Sequence, residues 1–340
     1  MIYKNIEIHN VCKLIEHEDG SVTWCKMPRF VYDALEFDDG RKTLMRSTGV
    51  ELRFVINSPT ATLKIQSLSA KEFNTSLQLY YGGIQGGWEA HELNSFVSTE
   101  PCEIVIKKPA NLELLDRVTA ETGLDWDPRV VRVIFNRGEY RIIDIEGDVE
   151  PPKPSQTPKK TLLTYGSSIT HGSNAYAMPG TWSYVLAHNL NTDIINFGME
   201  GQCRIEPEVI EYIASMGEQG KWDVATMELG INVLEWPDEK IYERVTNAVR
   251  QVAGRNPNKP IFVISPFYCN VDFIGGEKAA KWRRIVKEIC EKEAFPNVTY
   301  INGCDILGDI SLISADMVHP NIYGITQIAE RLTAIIKPKF

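Results

Sequence analysis

Up to about residue 148 the chain is built of short runs in which apolar and polar residues alternate. VELRFVI from Val50, ATLKIQS from Ala61, SLQLYY from Ser76, EIVIKK from Glu103 and RVVRVIF from Arg129 carry apolar side chains at every second position. That period turns one face of an extended chain towards a core and the other towards water, so each run predicts a strand. Asn136-Arg137-Gly138, between Phe135 and Tyr140, has the composition of a short hairpin turn. Helical spacing is nearly absent, except from Leu112 to Thr122. Residues 1–148 are therefore expected to form an all-β sandwich domain of jelly-roll type.

VEPPKPSQTPKK, residues 149–159 with one lysine beyond, concentrates proline and polar residues, which disfavour both helix and central strand. A linker is expected there. From residue 160 to 340 the pattern changes, because short apolar runs now alternate with longer amphipathic stretches. KTLLTY, TDIINF, WDVATM, PIFVIS and NVTYIN are expected strands. Helical spacing covers about Thr181 to Asn189, Glu206 to Met216, Asp238 to Arg255, Glu277 to Glu293 and Ile322 to Ile336. Strand and helix in this rhythm predict a parallel sheet covered on both faces, a three-layer αβα domain. Ligands of such sheets gather at the carboxyl ends of the strands, so the loops there are where chemistry is sought.

The first of these loops is Gly166-Ser167-Ser168-Ile169-Thr170-His171-Gly172. It lacks the Gly-Lys-Ser/Thr ending of a phosphate-binding loop and does not match Gly-x-Ser-x-Gly. A serine in front of a helix can simply cap it, or it can be a nucleophile whose neighbouring amides receive negative charge. The second loop, Asn196 to Gln202, holds two glycines where backbone could approach a ligand, although turn geometry also explains them. In the third, Glu228 to Val233, Asn232 is either a turn former or a side-chain oxyanion donor. The last is Asp316-Met317-Val318-His319-Pro320. Pro320 disfavours helical geometry at His319, and Asp316 could accept from one ring nitrogen while the other takes a proton, although an Asp-x-x-His spacing by itself is more often coincidence or capping.

These loops, taken in order, resemble the SGNH, or GDSL-like, hydrolases. Gly166 to Gly172 is similar to that family's Gly-Asp-Ser-Ile/Leu-Thr-x-Gly block, with Ser167 in place of the Asp. Asn196 to Gly201 resembles the second block, Gly230 to Val233 the Gly-x-Asn-Asp block with Val233 in place of the last Asp, and Asp316 to Pro320 the Asp-x-x-His-Pro block. The resemblance spans roughly residues 160–336. It implies a flavodoxin-like αβα hydrolase domain with Ser168 as nucleophile, His319 as base and Asp316 as its orienter. It also implies an oxyanion hole formed by the backbone amides of Ser168 and Gly201 and the side chain of Asn232, with no cofactor or metal. Some carbohydrate esterases of this family, and some acyltransferases of the same fold, carry a jelly-roll domain on the N-terminal side.

Composition narrows the substrate. The net charge of −9, without a long basic run, argues against nucleic acid or an anionic membrane as partner. A neutral substrate is expected instead, which the resemblance narrows to a small-molecule or oligosaccharide ester. Trp236, Tyr268 and Tyr323 follow these loops and are candidates to stack on sugar faces, as are Trp182 and Tyr176, although core packing is the alternative for each. The SPFYCN segment at Ser265 is the preferred pocket wall. The seven cysteines are scattered without a C-x-x-C pair, and no stretch has the length and apolarity of a signal or membrane span, so a cytoplasmic location is expected. In that compartment the sequons at Asn74 and Asn297 go unused. His17 and His91 lack metal-ligand spacing.

The expected activity is hydrolysis of short acyl esters, with acetyl groups on a carbohydrate favoured. An acyltransferase using the same acyl-enzyme, or an inactive carbohydrate-binding protein, are the alternatives. Binding glycan, shaping the pocket and pairing two copies into a homo-oligomer are all open to the N-terminal half.

Overall fold

The computed structural model describes residues 1–69, 75–87 and 96–340; His91 and the sequon at Asn74 lie outside the described residues. The alternation in the N-terminal half produces two antiparallel sheets. Among the described residues one sheet runs in the order Ile2–Tyr3, Ile6–His9, Glu51–Ile56, Val130–Phe135, Leu77–Tyr81 and Ile84–Gln85, with Val149–Glu150 paired on Glu51–Ile56. The other runs Lys13–Glu16, Val22–Cys25, Tyr140–Glu146, Thr60–Ser67 and Cys102–Lys107. Thr60–Ser67 shows why: Ala61, Leu63 and Ile65 turn inward while Thr60 and Lys64 face water. The inward residues join Leu52, Phe54 and Val133 of the first sheet in one apolar cluster, so the sheets share a core.

Three features depart from the sequence pattern. Asn136-Arg137-Gly138 is not a hairpin turn, because the strands it joins belong to different sheets. Phe135 and Tyr140 pack ring against ring at 4.8 Å as the chain crosses from one sheet to the other. Helices Arg29–Ala34 and Asp38–Met45, each shorter than a full amphipathic repeat can reveal, join the helix Leu112–Thr122 in this half. Val31 and Leu44 from the two short helices, with Leu35 just after the first, belong to the apolar cluster of the α/β half, alongside Val209, Ile210 and Ile213. Finally, Val149–Glu150, at the head of the proline-rich segment, is still paired in the first sheet, and Pro154–Gln156 forms one turn of 3-10 helix.

The α/β half follows its pattern closely. Strands Asp193–Gly198, Thr161–Gly166, Val224–Glu228, Ile261–Ile264 and Val298–Ile301 lie side by side in that order, all parallel. Successive residues face opposite layers. Leu163, Tyr165, Ala225 and Val263 pack with helices Pro207–Glu218, Asp238–Arg255 and Lys278–Glu293. Leu162, Ile194, Val224 and Phe262 pack with Trp182–Leu190 and Ile322–Ile336. Because the first strand in sequence lies second in space, the strand order reverses beside it, and the crevice outside its carboxyl end is the switch point of the sheet.

The two halves meet through charge. Glu51–Ile56 and Val130–Phe135 are buried along their whole lengths, so the polar positions of their alternation face the α/β half rather than water. Arg53 donates two hydrogen bonds to Asp193, at 2.7 and 2.6 Å, and one to Glu51, at 2.9 Å. Arg132 adds two more to Glu51, at 2.8 and 2.6 Å, and the Tyr184 hydroxyl a third at 3.2 Å.

Candidate active site

Strand Thr161–Gly166 ends at the switch point and turns at once into the helix Ser168–His171. Ser167 caps that helix, its hydroxyl oxygen accepting from the Ile169 amide at 3.1 Å. The turn is tight enough to demand Gly166, since a Cβ there would press on the Thr170 hydroxyl and the Glu228 carboxylate. Ser168 is the first residue of the helix, where backbone amides have no partner within the helix. Trp182 braces the helix by donating to the Ile169 carbonyl at 3.0 Å, and the Asn196 amide braces it through the Thr170 carbonyl at 2.9 Å.

The last loop closes on the serine. His319 Nε2 lies 2.7 Å from Ser168 Oγ, and His319 Nδ1 lies 2.7 Å from Asp316 Oδ2. The other carboxylate oxygen of Asp316 accepts from the backbone amides of His319 and Val318, both at 2.9 Å, and from the Ser314 hydroxyl at 2.8 Å. Partial burial disfavours its charge, but these hydrogen bonds outweigh that and hold the Asp316 carboxyl well below the usual carboxylate range. The His319 carbonyl in turn accepts from the Ser314 amide at 2.8 Å, so the loop is fixed at both ends of the histidine. Asn174, in the left-handed conformation with φ 65°, ties this loop to the segment of Ser168. Its amide donates to Ser314 Oγ at 2.9 Å and to the Pro320 carbonyl at 3.4 Å.

Asn232 accepts from the Cys203 amide through Oδ1 at 3.0 Å, which leaves Nδ2 as the free donor end of the group. Gly201 sits at φ 68° in the second loop, a conformation that favours glycine, and a Cβ there would meet nothing within 4 Å. Ser167 is turned away from His319: its amide and its hydroxyl both donate to Glu228 Oε2, at 2.7 Å each.

The aromatic candidates separate. Trp236 is a core residue, buried with its ring 6.2 Å from that of Trp282 and with Lys240 and Arg204 over it, so it offers no face to a sugar. Trp182 is buried as well. Tyr268 is half-buried against the layer of Phe262 and helix Ile322–Ile336, Phe267 and Cys269 of the expected pocket wall are buried, and Tyr323 and Tyr176 are exposed, at 74% and 73%.

Sequence reading missed contributions from the N-terminal half. Arg46 and Arg137 pair with Glu200, the neighbour of Gly201, at 2.6 and 3.3 Å. Thr48 shares a 2.7 Å hydrogen bond with His171, whose complete burial, with Lys26, Arg137 and Arg46 nearby, keeps the imidazole neutral. Single charged residues in turns carry no periodic signal, so nothing in the pattern marked them. Among the described residues there is no group of three or more His, Cys, Asp or Glu arranged to hold a metal ion. Nor is any described helix long and apolar enough to cross a membrane.

An open parallel sheet with a serine, an imidazole and a carboxylate in one hydrogen-bonded chain at its carboxyl edge is an arrangement suited to acyl transfer. The chain belongs to the GDSL-like lipase/acylhydrolase family, whose model matches residues 159–337, and is accordingly a carboxylic ester hydrolase. Its fold is similar to that of a salicylyl-acyltransferase from a tetracycline biosynthetic pathway, with a TM-score of 0.77 at 16% identity over 98% of this chain and 95% of that one. It is similar also to a family two carbohydrate esterase from Cellvibrio japonicus, with a TM-score of 0.63 at 12% identity over 98% and 95%. For an acetyl xylan esterase from the rumen bacterium Butyrivibrio proteoclasticus the TM-score is 0.54 at 12% identity over 88% and 93%. These likenesses concern the fold and extend over both halves. No curated protein matches the sequence.

Proposed function

We propose that the chain is a serine esterase that removes short acyl groups, acetyl above all, from a carbohydrate, with Ser168, His319 and Asp316 as its triad. The reading rests on the two 2.7 Å contacts that run from Ser168 through His319 to Asp316. Ser168 Oγ attacks the ester carbonyl carbon while its proton passes to His319 Nε2, and the carbonyl electron pair moves onto oxygen. The amides of Ser168 and Gly201 and the Asn232 side chain receive that oxyanion, each donor worth about 10²–10³ in turnover. When the intermediate collapses, the C–O bond to the alcohol breaks and the leaving oxygen takes the proton from His319. Water then attacks the acyl-serine by the same route and releases the acid. Asp316 holds the imidazole in the tautomer that leaves Nε2 free to accept.

The two facing antiparallel sheets support a jelly-roll domain over residues 1–148, followed by a linker over 149–159 and the hydrolase domain over 160–340. Tyr268 and Tyr323 are the remaining aromatic candidates for the sugar. Seven free cysteines favour a reducing compartment, the cytoplasm. An acyltransferase is the second reading, favoured by the fold shared along the whole chain with one such enzyme. It differs only in the alcohol that accepts the acyl group.

Turnover of an aryl acetate and labelling by a fluorophosphonate test the first claim: both are expected to vanish in Ser168→Ala. Wild-type turnover in that variant would overturn it. Acetylated sugars, assayed with and without added alcohols, test the second, and ester formation exceeding acid release at low alcohol concentration would make the protein a transferase.

A further inference from the structure

Beneath the nucleophile turn lies a carboxylic acid that the proposed steps do not use. Glu228, the last residue of strand Val224–Glu228, is completely buried. Its Oε2 accepts from the Ser167 amide at 2.7 Å, the Ser167 hydroxyl at 2.7 Å and the Thr170 hydroxyl at 3.1 Å. All three donors belong to the segment that carries Ser168. The other oxygen, Oε1, is buried without a hydrogen-bond partner among the described residues. A buried polar atom left in this state is costly, and the arrangement persists beside a glycine that no other residue could replace without striking the carboxylate. Ser167 itself stands where the family's first block carries an acid, so the carboxylate beside the nucleophile here comes from the neighbouring strand.

We infer that Glu228 is a positioning residue: from the adjacent strand it holds Ser167 and Thr170, and thereby keeps the hydroxyl of Ser168 in line with His319. The inference rests on the serine-esterase reading. Three donors converging on one oxygen fix both flanks of Ser168, one residue before it and two after. A hydrogen bond to an ionised acceptor is roughly twice as strong as one to a neutral acceptor, so the grip is firmest when Glu228 is charged.

Burial pushes the Glu228 carboxyl up to about 7 despite the opposing hydrogen bonds from Ser167 and Thr170. The titratable group in contact with it from the second loop is Cys203, whose thiol donates to the Glu228 carbonyl at 3.7 Å. Cys203 in turn feels Tyr165 and Glu206, and burial holds all three in their neutral forms to unusually high pH, Glu206 up to about 7. Charge on Glu228 therefore appears as pH rises through neutrality.

The test compares wild type, Glu228→Gln and Glu228→Ala by aryl acetate turnover, with thermal unfolding as a control. Glu228→Ala is expected to lose about tenfold to a hundredfold in kcat with little change in KM, because a misplaced nucleophile weakens reaction more than binding. Glu228→Gln keeps a carbonyl acceptor but cannot ionise, so it is expected to restore most of the loss. Its deficit against wild type should be about threefold near pH 8.5 and close to none near pH 5.5, where the buried Glu228 of the folded enzyme is protonated. A folded Glu228→Ala enzyme with wild-type kcat overturns the inference, and so does a ratio of wild type to Gln that stays constant with pH. The second outcome decides even where the alanine variant fails to fold. An active Ser168→Ala enzyme would instead remove the esterase reading itself, whatever the Glu228 variants do.

Discussion

Asn174 and Ser314 meet across the rim of the site, the amide of the first donating to the hydroxyl of the second at 2.9 Å. Ser314 passes the restraint on to Asp316, and Asp316 to His319. One surface side chain thus links the segment of the serine to the loop of the histidine, two parts of the chain separated by 151 residues between Ser168 and His319.

Replacing Asn174 separates this bond from the backbone it sits on. Asn174→Gly keeps the left-handed conformation at φ 65° but removes the amide, whereas Asn174→Ala also adds strain of about 1–2 kcal/mol. The glycine variant is expected to lose several-fold in kcat with nearly unchanged thermal stability, and the alanine variant to lose stability as well. Full kcat in the glycine variant would show that the bond to Ser314 plays no part in turnover.

Asp316→Asn replaces one acceptor oxygen by an NH₂ group. Whichever way the amide turns, it faces a donor: the His319 ring on one side, or two backbone amides and a hydroxyl on the other. A fall in kcat on the order of 10³–10⁴ is expected, with the fold retained, since the wrong imidazole tautomer cannot accept the serine proton. A loss below tenfold would mean that another group orients His319.

Acid is expected to loosen the contact between the halves. Burial disfavours the charge on Glu51, yet Arg132 and Arg53 outweigh it and hold the carboxyl at about 2, against 4.5 for the free group. A carboxylate lowered in the folded state stabilises it above the unfolded value, and that contribution is lost as pH falls from about 4.5 towards 2; for Glu51 it is on the order of 3 kcal/mol. Asp193 acts in the same direction, its charge favoured by Arg53 against the cost of burial. In urea unfolding, Glu51→Gln should be clearly less stable than wild type at pH 6, with the gap narrowing near pH 3, where Glu51 of the unfolded chain is protonated and folding must give up that proton. A gap of equal size at both pH values would refute this account.

The α/β half was legible because its strands and helices are long and regular: the expected helices from Asp238 to Arg255 and from Ile322 to Ile336 have the observed bounds. Pro320, which keeps His319 out of a helix, made the last loop stand out, but only its combination with the other loops pointed to a site. Side-chain direction was not legible. Local chemistry in the Ser167-Ser168 pair did not tell which hydroxyl would meet the imidazole, and only the family resemblance pointed to Ser168; the contact depends on Glu228 drawing Ser167 away. Alternation in Glu51–Ile56 and Val130–Phe135 marked two faces correctly but could not say that the polar face of Arg53 and Arg132 would be buried under the other half. Trp236 misled for a related reason, since a large aromatic after a strand end fits a core as well as a sugar site, and Trp282 supplies the core.

The proline-rich segment between the halves therefore does not act as a hinge. Val31, Leu35 and Leu44 are sunk in the same apolar cluster as the parallel sheet, and Arg53 is bound to Asp193 beside it. A protease cutting at exposed Lys159 would sever the backbone while leaving both fragments clasped, so the nicked protein should migrate as one particle in native conditions and as two bands once denatured.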